Sequence, residues 1–337
     1  FYDALHRLIG LDFGGGTEPF PYPSPSPSPS PGFASMIQFV YDALSRRIGL
    51  LLPNGTLTRY GYDAANRLLS LTLTRGRTPL LRFGSTYDEL GNRKTLIDPT
   101  GLTTYTYDPL SQQKTVDAPP PLPDATYTYD AAGNRLKTVE GTTTTSYTPN
   151  RLNQYDTVGA TTLRYDKNGN LTFDGINTYV YDSENRLVAA QGSGLRAQYA
   201  YDALGRRVSK TVAGQTTHFL YDGDQLLADY DGAGKLLARY VYGPGLDEPL
   251  VMLKAGKRYY FHADGLGSIV ALTDDRGQVI ERYTYAPFGQ PTILAPDGTV
   301  RATSLVGNRF LFTGREYDSE TGLYHYRARA YSPTLGR

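Results

Sequence analysis

Cysteine and tryptophan are absent from the 337 residues, and methionine occurs only twice. Without cysteine there is no disulfide framework, no thiolate metal site and no thiol nucleophile. Histidine is nearly as scarce. His6, His218, His262 and His325 are scattered, which argues against a histidine-rich metal centre. An excess of one charge is also missing: 34 Lys and Arg against 33 Asp and Glu leave a net +1. Such a chain carries no electrostatic footprint for nucleic acid. No apolar run approaches the ~18 residues of a spanning helix, so no membrane span is expected. The chain opens at Phe1 with neither Met nor a signal-peptide pattern, and is read as a fragment of a longer protein.

What is abundant points to β-structure. There are 36 Gly and 22 Pro, and 29 Tyr against 12 Phe. Turn formers and polar-tipped aromatics favour many short strands over long helices.

The dipeptide Tyr-Asp recurs, with its Asp at positions 3, 42, 63, 88, 108, 130, 166, 182, 202 and 222. Steps from Asp42 are 21, 25, 20 and 22 residues, and from Asp166 they are 16, 20 and 20. A worn copy, SYTPNRL with Tyr147 and Thr148 in place of Tyr-Asp, fills the longer gap. The clearest unit is TYTYDAAGNRLKTV, Thr126 to Val139. Tyr127 and Tyr129, two apart, share one face of a strand, and Tyr179/Tyr181, Tyr199/Tyr201 and Tyr283/Tyr285 repeat the spacing. The Asp that follows can bond the backbone ahead of it. Gly133, Gly205, Asn66 and Asn185 suit the positive φ that closes a type I turn before a return strand. Each period is therefore expected to be one β-hairpin, joined to the next by a looser connection such as Gly141 or Gly214.

A lone hairpin is marginal in water, so the units must pair into one long antiparallel sheet. Rows of Tyr would cross neighbouring strands, their hydroxyls bonded or hydrated. The expected sheet has one wet face, or lines a solvated space, and is not a dry sandwich. From Pro19 to Pro31 every second residue is Pro, which cannot pair as a strand. This insert is expected to be an extended polyproline loop of roughly 40 Å at ~3.1 Å per residue.

Tandem Tyr-Asp hairpins followed by Asn-Arg-Leu resemble the RHS, or YD-repeat, family. Tyr260 to Thr292 resembles the opening of the RHS repeat-associated core. His262, Asp264, Leu266, Gly267 and Ser268 match one block, Leu272-Thr273-Asp274 the next, and Pro287-Phe288-Gly289 a third. Asn308 to Arg337 resembles the second half of that core, ending in Leu335-Gly336-Arg337. On this resemblance the chain divides into a first unit over 1–18, a Pro/Ser-rich insert over 19–32, a repeat array over 33–258 and the core over 259–337. The implied fold is all-β: tandem β-hairpin repeats forming a spiralling antiparallel sheet, part of a hollow shell. The implied function is a non-enzymatic, secreted or cell-surface scaffold that encloses a C-terminal effector polypeptide and helps deliver it between cells. Some family members self-cleave beyond the core, but the matching stretch stops before that region. Ser319 and Ser332 depart from the family's usual Pro and Asp. No catalytic residue, metal ligand or cofactor site is carried over. The alternative is an adhesive surface protein binding carbohydrate through its Tyr faces.

Other candidates have plainer explanations. His262 and Asp264 could face one way as an acid–base pair or two metal ligands, but no third group joins them. Asp274-Asp275 before Gly277 reads as a turn. Gly14 to Gly16 lacks the Lys and helix of a phosphate loop. Arg residues after each turn are expected to pair with the repeat Asp residues, which leaves no basic surface for anionic polymers.

Overall fold

A computed structural model describes residues 1–12 and 36–337. The polyproline insert and the Gly14–Gly16 run lie outside the described residues. Fourteen strands, from Gly10–Asp12 to Thr161–Thr162, form one antiparallel sheet. Fifteen more, from Arg164–Tyr165 to Val300–Arg301, form a second. A third sheet has three strands, Glu316–Asp318, Leu323–Tyr326 and Arg329–Tyr331. Neighbours in each sheet are neighbours in sequence, and the second sheet runs through residue 259 without a break. One 3-10 turn, Phe312–Gly314, is the sole helical element among the described residues.

The repeat unit explains this topology locally. Ala125–Tyr129 pairs with Arg135–Glu140 around a turn in which the Asp130 amide donates to the Asn134 carbonyl at 2.9 Å. Asp130 Oδ1 accepts the amides of Ala132 and Asn134. Gly133 closes the turn at φ +83°, and Asn66, Asn185 and Gly205 hold the same position at +62°, +62° and +79°. The register slips by one residue beside the second Tyr, as at Thr128/Tyr129 and Ala200/Tyr201. That is the bulge this turn type imposes.

Three details differ from expectation. The inter-hairpin connections are tight: Val212 pairs with Gln215, so only Ala213 and Gly214 turn the chain, both at positive φ. Such primed turns match the strand twist, and each of the two large sheets is a meander of sequential strands. In the worn copy the Asp position falls to Asn150, whose Oδ1 accepts the amides of Leu152 and Gln154. Pro149 stands where the second Tyr would be, opposite Tyr155. Lastly, Asp222 pairs directly with Gln225, so that copy keeps only a two-residue turn.

Successive hairpins are stapled together. Arg46 Nε binds Asp42 Oδ2 at 2.6 Å, its Nη1 donates to the Asp63 carbonyl at 3.0 Å, and its guanidinium covers the Tyr62 ring at 5.1 Å. Arg67 and Arg186 repeat the arrangement over Tyr87 and Tyr201. The second Tyr returns a bond: Tyr87 Oη donates to the Leu68 carbonyl and Tyr201 Oη to the Leu187 carbonyl, each at 2.8 Å. Arg46, Arg67, Arg186 and Arg206, four residues after the repeat Asp, thus pair with it as expected, whereas Arg135 and Arg207, one position further on, have other partners.

The two sheets close on each other. Ile37, Phe39, Leu50 and Leu52 near the start of the first pack on Leu250, Val251 and Tyr260 near the end of the second. Leu73 and Leu81 meet Val270 and Ala271. Strands Pro249–Lys254 and Ile269–Thr273 are therefore covered on both faces, because Met252 and Leu272 belong to the other cluster, with Phe310. The expectation of one wet face fails here. The near-continuous apolar runs PLVML and IVALT are what doubly buried strands require.

Candidate functional site

The third sheet and the residues leading into it lie against the wall formed by the second sheet. Phe310, Leu311 and Tyr324 share a buried cluster with Phe219, Tyr240, Met252, Leu272 and Tyr283. Leu323 joins Tyr179, Leu187 and Tyr199, and Leu335 joins Tyr147 and Tyr155 of the first sheet and Leu163 between the two sheets. Residues 308–337 thus bridge distant parts of the wall.

Burying this segment is directed by ions as well as apolar contacts. Arg207, fully buried, binds Asp318 Oδ2 at 2.5 Å and Glu316 Oε2 at 3.3 Å. Lys210 reaches Asp318 Oδ1 at 2.9 Å and Glu320 Oε1 at 3.1 Å. In return, Arg309 forks onto Asp229 at 2.6 and 2.8 Å and binds Glu316 Oε2 at 2.7 Å. Tyr240 Oη donates to Asp229 Oδ2 at 2.7 Å. Wall and segment each supply both charges, so neither leaves an unpaired ion. Burial by itself would raise Glu316, but Arg309 and Arg207 outweigh it and hold the carboxyl at about 2. Asp318 is likewise held well below its ordinary range, burial being overcome by Arg207 and Lys210. His325 lies beside this network, and burial, reinforced by Arg207, lowers it to about 3.

A cavity of about 670 Å³ opens between the first sheet and the turns of the second, lined by residues including Leu71, Phe83, Tyr105, Val270 and Phe312. Gln113 Nε2 and Arg282 Nε are buried on its lining without a hydrogen-bond partner.

The residues singled out in the sequence do not converge. His262 is buried with Nε2 on Thr273 Oγ1 at 2.8 Å, and Asn54 Nδ2 from the first sheet reaches the same hydroxyl at 2.8 Å. A register slip separates His262 from the turn that holds Asp264. Asp264 Oδ1 accepts the amides of Leu266 and Ser268, which is turn chemistry. Asp274 caps its own turn through the amides of Arg276 and Gln278, while Asp275 binds Arg258 Nε at 2.6 Å. Among the described residues no group of three or more His, Asp or Glu is placed to hold a metal ion, and no helix is long and apolar enough to cross a membrane.

Sequence reading missed Arg207, Arg309, Asp229, Glu316 and Asp318. One signal was available: doublets follow two turns. Arg46 and Arg206 enter the staple, so Arg47 and Arg207 must face the other way, where Arg47 meets Glu248 and Arg207 meets Asp318.

Fold and site together define a shell of β-hairpin repeats with residues 308–337 seated against the wall. The teneurin YD-shell model matches residues 62–337 and the RHS-repeat model residues 39–78. The chain belongs to the teneurin YD-shell family of RHS-repeat proteins. It is 38% identical over 180 residues to the tRNA3(Ser)-specific nuclease WapA of Bacillus spizizenii, covering 52% of this chain and 8% of that protein. Teneurin-1 of Gallus gallus is 31% identical over 186 residues, 53% of this chain and 7% of that protein. The Photorhabdus luminescens Tc holotoxin pore shares the fold, with a TM-score of 0.73 at 20% identity over 89% of this chain and 17% of that one. The chain thus spans a small part of each relative's length.

Proposed function

We propose that the chain is a non-enzymatic piece of shell that encloses a C-terminal effector polypeptide and helps deliver it between cells, as part of a secreted or cell-surface protein. In this reading residues 259–337 act as the core that closes the shell. One observation carries the proposal. The wall devotes buried ion pairs and aromatic clusters to holding a later segment of its own chain, on the face opposite the Arg staples. The carbohydrate-binding alternative has no observation in its favour, since staple Tyr rings such as Tyr62, Tyr87 and Tyr201 are covered by guanidinium and all three hydroxyls lie on carbonyls. The same commitment of polar groups to turns, staples and docking supports a scaffold over an active site.

The test is made on the whole gene product. Its coding sequence is read beyond Arg337 and the product is treated with protease. The proposal expects a non-repetitive polypeptide that resists digestion while the shell is intact and is cut once the shell is unfolded. A product without such a polypeptide, or one digested as fast as the isolated domain, refutes it.

A further inference from the structure

We propose that the worn repeat at 147–155 is a receptor notch for the tripeptide Leu335-Gly336-Arg337, in which Arg337 replaces the missing staple of the wall. The inference needs no enclosed polypeptide and stands apart from the proposed delivery role.

At five turns an Arg following the turn reaches the next one, while Asn92, Gln112 and Asn170 hold that position at three others that keep the Tyr of the following unit. Arg46 covers the Tyr62 ring at 5.1 Å and bonds the Asp63 carbonyl and Asn66 Oδ1 at 3.0 and 3.2 Å. Between the turns at 130–134 and 150–154 this staple is absent. Asn134 stands where the Arg would be and is held by Asp130 Oδ2 and Asn153 Oδ1. Pro149 stands where the Tyr would be, and neutral Asn150 replaces the Asp. The wall therefore lacks one guanidinium and one ring at this point.

Arg337 supplies the guanidinium. It lies 3.8 Å from the centroid of the Tyr155 ring, donates from Nη1 to the Asn153 carbonyl at 2.5 Å, and from Nη2 to Asn134 Oδ1 at 3.0 Å. It thus touches both turns that the staple would have joined. The two preceding residues fit as specifically. Leu335 is buried with Tyr147, Tyr155 and Leu163, and its carbonyl accepts from Arg135 Nη2. Gly336 sits at φ +70°, where a Cβ would lie 3.0 Å from both Arg135 Nη2 and Phe288 Cδ1. A side chain there is disfavoured by conformation and by space. The notch therefore reads a buried Leu, then a residue without Cβ, then a planar cation that can stack and fork. Lysine offers neither stacking plane nor fork. The site fixes the point on the wall at which residues 332–337 are held.

Hydrogen exchange by mass spectrometry on the full chain tests this. The reporters are the amides of Ser332, Leu335 and Gly336, which bond the Arg337 carbonyl, Ser332 Oγ and the Ser332 carbonyl. Arg337→Ala removes charge-assisted bonds and the stack, and should speed their exchange by about tenfold or more. Arg329→Ala, at an exposed position of the same segment, should leave them unchanged. Arg337→Lys should behave like Arg337→Ala. In the reverse experiment, Asn134→Arg with Pro149→Tyr restores the wall's own staple. It should evict the tripeptide, speeding the same amides while Arg135–Glu140 stays protected. Unchanged exchange in Arg337→Ala, or slow exchange in the restored-staple variant, overturns the proposal. So does a loss of protection spread evenly over the chain.

Discussion

His262 should make the protein acid-labile well above the pH at which its carboxylates titrate. The imidazole is fully buried, and burial alone lowers it to about 3 from an ordinary value of 6.5. In the unfolded chain it takes a proton as pH falls through 6.5, whereas the folded chain refuses one until about 3. Stability is therefore lost progressively as pH falls between those limits. From pH 7 to pH 5 the loss from this one residue is about 2 kcal/mol, at roughly 1.4 kcal/mol per unit once the unfolded chain is protonated. His325, also lowered to about 3, adds a loss of the same sign. Asp264 and Asp247 have raised values and oppose it. A comparison with His262→Gln isolates the residue, since Gln can keep the bond from the Nε2 position to Thr273 Oγ1. Urea unfolding followed by circular dichroism at pH 7 and pH 5 should show the unaltered protein losing about 2 kcal/mol more than the variant. Equal losses in the two proteins would refute the assignment of a neutral, dehydrated His262.

Further outcomes follow from the same contacts. Arg207→Ala should cost about 3 kcal/mol, the lower end for a broken buried pair, because Asp318 and Glu316 keep only Lys210 and Arg309 as partners; a cost near zero in denaturant melts would show that the network is hydrated. Gly133→Val should destabilise far more than Ala131→Val, since Gly133 lies at φ +83° with Gln112 Nε2 3.0 Å from its missing Cβ; equal losses would contradict the turn assignment. Tyr201→Phe should cost about 1 kcal/mol through the lost bond to the Leu187 carbonyl; no change in unfolding midpoint would remove the hydroxyl from the staple. Far-UV circular dichroism should show β-structure with almost no helix, and a helix content near the roughly 30–35% of average proteins would contradict the fold.

Whatever is settled within about five residues was legible in the amino-acid order. Asp130, Gly133 and the slip after Thr128 form one local unit, because an Asp side chain, a positive φ and a short return strand cooperate without help from elsewhere. The same locality made the Asp42–Arg46 pairing legible. Reading by letters misled where chemistry can be substituted: Asn150 does the work of Asp in the worn repeat, and Ala213 turns the chain as tightly as Gly. Tertiary structure alone decided which inward-facing groups meet. Arg207 and Asp318 are 111 residues apart, Asn54 and Thr273 219, and Arg337 and Asn134 203. Those partners depend on how far the two sheets curve before they meet. Curvature sums small twists over some thirty strands, and no single repeat contains it.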